Sequence, residues 1–151
     1  MLRTLLLVTC VLTLIGAAAA ADGTPPKDAF ANAGFKITLA GGASATKQDG
    51  PDFTVYFISW GPTGHLGLYE GCCAQTFLAG ADLEKADIKI NGLIAHQLKR
   101  QSGDFVSREL HIDVPAAGGS THAFVVHAWY KSLGADDAKI ADQIIATIAA
   151  K

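Results

Sequence analysis

The chain lacks the patterns that would name a chemistry outright. It has only 3 cysteines in 151 residues. One of these, Cys10, sits inside an apolar N-terminal run, which leaves the adjacent pair Cys72 and Cys73 and no long-range disulfide framework. There is no H-x-H, no HExxH and no C-x₂-C with partner spacing, so the usual sequence signatures of a metal site are missing. Ser59 and Ser107 lie in no nucleophile elbow. Charge bias is absent as well: the formal net charge is −2 and the charges are interspersed. That excludes a nucleic-acid footprint and a polybasic membrane patch. No repeat or low-complexity tract follows the N-terminal run. What remains is a small domain held by its own core, with no cofactor implied and no catalytic motif to make it an enzyme.

What is present begins with an address. Arg3 precedes an apolar stretch over residues 5–15, and residues 16–21 are small and of the A-x-A type. Asp22, Gly23 and the pair Pro25–Pro26 follow. Residues 1–21 therefore read as a cleaved secretory signal peptide, cut after Ala19 or Ala21 and too short for a comfortable membrane span. The apolar run continues past Cys10 through Val11 and Ile15, unlike a lipidation signal. The expected location is periplasmic or secreted, without stable membrane insertion after cleavage. Residues 22–33 read as a linker and a short helical segment, with Ala29, Phe30 and Ala33 on one side. Residues 34–151 read as a single domain.

Within that domain, hydrophobic alternation predicts strands. Residues 35–39 and 53–59 have strand character, as do 65–70, 73–78, 93–99, 105–114 and 122–130. Residues 82–86 read as a helical turn, and Asn91–Gly92 as a tight turn. Arg108 interrupts an otherwise apolar face (Val106, Leu110, Ile112, Val114), which suggests a sheet edge. Near the C-terminus, Asp136 or Asp137 can cap a helix whose stripe is Ile140, Ile144, Ile145 and Ile148, with Lys139, Asp142 and Gln143 facing away. The fold class is α+β: an antiparallel sheet covered by a C-terminal helix, with a short N-terminal helix in addition.

This order of elements resembles the PsbP/Mog1-like family of small exported bacterial proteins. The likeness rests on Gly34-Phe35-Lys36-Ile37-Thr38-Leu39 before a small-residue turn, on Ile90-Asn91-Gly92 before an extended segment, and on the hairpin region 105–114. It continues through residues 122–130, the acidic cap and the helix ending Ile144-Ile145-Ala146-Thr147-Ile148. Ala40 stands where the family often has proline, and residues 60–78 match nothing in its pattern. Members of the fold are mostly binding or assembly modules, so the resemblance implies a non-enzymatic role.

The candidate site residues are few. Cys72 and Cys73 read as a vicinal disulfide, as a soft-metal dithiol, or as ordinary packing thiols. Trp60 opens a Gly- and Pro-rich segment running to Cys73 that contains His65, and Trp129 ends a strand. The two indoles read either as anchors for a partner or apolar ligand, or as caps on the core. His111 and His127, if opposite each other across a ladder, make half of a zinc or copper site, with His96 in the preceding segment. Scattered strand histidines are more often plain polar-face residues. Glu70, Glu109, Asp104 and Asp113 are carboxylates that could pair as acid and base. The function expected is recognition of a protein partner or small apolar ligand through residues 60–73, Trp60 foremost. The alternative is a thiol-dependent metal or redox protein using the two cysteines.

Overall fold

The computed structural model describes residues 28–115 and 124–151. The expected leader, Lys27 and His122 lie outside these. The strands are β1 (Phe35–Lys36), β2 (Ser44–Asp49), β3 (Thr54–Trp60), β4 (Gly64–Gly71), β5 (Glu84–Ile90), β6 (Leu93–Ser102), β7 (Phe105–Val114), β8 (Phe124–Gly134) and β9 (Ala149–Ala150). One helix, α1 (Ala135–Ile145), follows β8 directly. The architecture is α+β, an antiparallel sheet with the C-terminal helix packed on one face. Among the described residues no helix is long and apolar enough to cross a membrane.

Seven strands form one sheet in the order β2-β3-β4-β8-β7-β6-β5, and β1 pairs with β9. Short turns make the hairpins. Asn91 and Gly92 both adopt positive φ, 48° and 85°, which lets two residues join Ile90 to Leu93 with the twist of the strands. The Asn91 side chain donates to the carbonyls of Ala146 and Ile148, so the hairpin tip also caps the end of the helical region. The connection from β4 to β5 is of another kind, because the two strands are not neighbours in the sheet. Their positions require residues 72–83 to pass over β8, β7 and β6 to reach the far edge.

The core lies between the sheet and α1. Ile58, Leu66, Leu68, Leu110, Ile112, Val126 and Ala128 face the helix, whose buried positions are Ala138, Ala141, Ile144 and Ile145. Small residues on the helix let it approach the sheet closely, and Ile140 is left only half-buried. Ile148 is buried beyond the helix end. A bulge shifts the β7–β8 register between Val106 and Arg108, with Ser132 at φ 52°. One extra residue on β8 explains why Tyr130 and Leu133, three apart, both point into the core.

Several expectations change. Arg108 lies in the sheet interior: β7 is flanked by β8 and β6. Its guanidinium reaches Asp142 at 2.7 Å and Gln97 at 2.7 Å. Asp142 therefore faces the sheet, also accepting from the Tyr130 hydroxyl at 3.0 Å. Neither Asp136 nor Asp137 caps α1: its N-cap is Gly134, without a side-chain bond. Residues 82–86 run into β5 rather than a helical turn, and residues 73–78 form no strand. Asp28–Asn32 make turns closed by Ala31 N to Asp28 O and Ala33 N to Phe30 O, not a helix.

Candidate functional site

The crossing segment 72–83 lies on the sheet face away from α1, and it steps from strand to strand. The Phe77 ring lies 5.1 Å from both His127 and Trp129 of β8, centroid to centroid. The backbone N–H groups of Phe77 and Leu78 donate to the Glu109 carboxylate of β7, at 3.0 Å and 2.7 Å. Arg100 of β6 donates to the carbonyl of Ala79 and pairs with Asp82 at 2.8 Å. A segment with no ladder partner thus finds acceptors and donors for its backbone on the sheet beneath it.

From the covered His127 a continuous cross-strand row runs out to the exposed edge of the sheet. Tyr69 is opposite His127, His127 opposite His111, His111 opposite His96, and His96 opposite Asp87. Antiparallel register places these side chains on one face. The imidazoles of His111 and His127 are stacked, 4.4 Å apart with 17° between planes. Glu109 is fully buried one row along, opposite Trp129. Its Oε1 lies 3.2 Å from His111 Nε2 and 2.8 Å from His127 Nε2. The second contact is off-axis, so His127 Nε2 is buried with no hydrogen-bond partner.

Electrostatics separate the histidines. Burial, with the neighbouring His111 adding to it, pushes His127 down to about 4 against the pull of Glu109. The exposed His96 goes the other way, raised by its 2.7 Å contact with Asp87 and further by Asp113. Across the sheet, Glu70 belongs to the opposite face, accepting from the Tyr56 hydroxyl and the Gly34 N–H. It cannot work with Glu109 as an acid–base pair. Asp104 is exposed in the β6–β7 turn, and Asp113 stands 3.8 Å from His96.

Next to His127 the same face opens into an apolar hollow of about 480 Å³. Phe53, Phe57, Tyr69, Phe77 and Trp129 supply its rings, and Cys73 and Gln75 its rim. Phe53 stacks on Tyr69 at 5.6 Å, and the Lys131 ammonium lies 5.5 Å from the Phe77 centroid. Phe57 and Phe77 remain 50% and 43% exposed.

The structure divides the sequence-derived candidates. Trp129 and Cys73 line the hollow. Trp60 does not: it is 4% exposed, and its indole N–H donates to Asp137 of α1 at 2.9 Å. The segment expected as a recognition loop is a hairpin, closed by Gly61-Pro62-Thr63 and continuing as β4, so Trp60 belongs to the core. His65 is exposed on β4 and contacts the Thr63 carbonyl. Cys72 and Cys73 are both exposed and free, rather than one being packed inside. Hydrogen bonding to Cys72 raises the Cys73 thiol.

Phe77 and the central position of Glu109 were not legible in the sequence. The available signal was Glu109-x-His111, which puts both side chains on one face of a strand, next to a strand carrying His127. No protein-family model, curated protein or solved structure matches the chain.

Proposed function

We propose that this is an exported, non-enzymatic binding module that takes a small apolar or aromatic ligand in the hollow between Phe57, Tyr69, Phe77 and Trp129. Export rests on the leader pattern of residues 1–21. The observation that carries the reading is the set of rings left uncovered around an apolar concavity of about 480 Å³. That is an ordinary size for a small-molecule site, where burial of ring surface drives binding. Asp52 and Gln75, also in its lining, offer polar atoms to orient a ligand. The reading based on Cys72 and Cys73 as a metal dithiol has less support: among the described residues no third donor joins them.

The test uses N-phenyl-1-naphthylamine, a neutral aromatic probe whose emission rises in apolar surroundings. Saturable binding at one site, weakened about tenfold or more by Phe57→Ser with unchanged far-UV circular dichroism, is expected. A probe signal that is absent, or equal in the folded Phe57→Ser protein, contradicts the proposal.

A further inference from the structure

We propose that Glu109, His111 and His127 bind one divalent first-row transition-metal ion of the zinc class. Two imidazoles and one carboxylate form a donor set suited to such ions, and three protein ligands leave a coordination position open. The three donor atoms lie within 4.8 Å of one another. The two nitrogens stand 3.2 Å and 2.8 Å from Glu109 Oε1. Around a tetrahedral ion with bonds near 2.0–2.1 Å, donors are about 3.3 Å apart, so these separations need only small adjustment.

A second, independent observation points to a missing partner. His127 is 1% exposed, and its Nε2 lies 2.8 Å from the carboxylate oxygen, off-axis and without a hydrogen bond. A buried ring nitrogen left this way is costly, and a cation between it and the carboxylate would satisfy both. Glu109 is held for the purpose, because the Phe77 and Leu78 N–H groups fix its carboxylate in place. Outer contacts of this kind orient metal ligands.

The rings must leave their parallel stack to share an ion. His111 has the room to turn: its side chain is 22% exposed, against 1% for His127. His127 also lines the aromatic hollow, so the ion site adjoins the hollow proposed to hold a ligand. The inference does not depend on that ligand, since ion and apolar probe are measured separately.

The experiment is a titration of chelator-stripped Cys72→Ser/Cys73→Ser protein with Co²⁺, followed by visible absorption and then by Zn²⁺ displacement. Removing the thiols confines the signal to nitrogen and oxygen donors. One equivalent of Co²⁺ displaced by Zn²⁺ is expected, with affinity at least about tenfold weaker in His111→Asn and in Glu109→Gln. His111→Asn is partly exposed and decides the matter if Glu109→Gln does not fold, as judged by circular dichroism. No Co²⁺ uptake by the folded protein, or wild-type affinity in folded His111→Asn, overturns the proposal.

Discussion

The Trp129 indole occupies the space that a side chain on Gly67, its direct cross-strand partner, would need. A Cβ at Gly67 would overlap the six-membered ring of the indole. Glycine on β4 is therefore what lets Trp129 lie over the sheet and wall the hollow. Gly67→Ala is expected to move the indole and destabilise the fold by ~1–3 kcal/mol, as overpacking does. Urea denaturation would measure the loss, and a changed Trp emission together with weaker probe binding would locate it. Unchanged emission and affinity would show that the indole does not depend on this glycine.

Trp60 makes the contrasting case. Its ring is core, and its N–H joins Thr63 in holding Asp137 at the start of α1. Trp60→Ala should cost ~3–5 kcal/mol through the cavity it leaves. Trp60→Phe, which mainly loses the hydrogen bond and some volume, should cost less, about 1–2 kcal/mol. In folded Trp60→Phe, affinity for the naphthyl probe should equal wild type. Probe binding that falls while stability holds would return Trp60 to the binding surface.

The Arg108–Asp142 pair links sheet to helix at 2.7 Å, with Gln97 and Tyr130 completing the network. Asp142 is 44% exposed, so solvent screens part of the attraction. Arg108→Met should destabilise by ~1–3 kcal/mol, largely by stranding its partners. A double-mutant cycle with Asp142→Asn should return a coupling of about 0.5–2 kcal/mol. Zero coupling would mean that the contact holds nothing.

Two histidines of the metal-free protein should titrate in opposite senses. His127 is depressed from 6.5 to about 4, so between these values the unfolded chain binds a proton that the native one does not. Stability is then full above about pH 6.5 and falls as pH drops toward 4, by at most ~3 kcal/mol from this group. His96 is raised, so its small contribution is present below 6.5 and is lost as pH rises through its native value. Histidine-ring NMR from pH 4 to 8 checks both. A His127 resonance that titrates above 6.5 would contradict the burial argument.

Much of the fold could be read from alternation and turn chemistry. Asn91–Gly92 forms the tight turn expected, and residues 105–114 form the strand β7. The C-terminal helix lies on the sheet, although its buried stripe turned toward Ala138 and Ala141. Arg108 misled because one half-buried cation can be paired with a helix carboxylate that local sequence does not reveal. Residues 73–78 misled because their apolar side chains cover a sheet face without joining a ladder.

The candidate site was legible only in part. His111 opposite His127 follows from adjacent strands with an assumed register, and the structure provides that register. Glu109 as the acceptor between them follows once the register is set. The covering segment does not follow, because its course depends on strand order: β8 inserts beside β4 and forces residues 72–83 across the sheet. Strand order is a long-range property, and no local pattern encodes it.

The most direct test of a binding hollow on the helix-free face is an amide and indole NMR map of the protein with and without N-phenyl-1-naphthylamine. The account predicts saturable shifts at Phe57, Tyr69, Gln75, Phe77 and the Trp129 indole N–H, with the Trp60 indole unmoved. Shifts confined to other surfaces, or none at saturating probe, would contradict it.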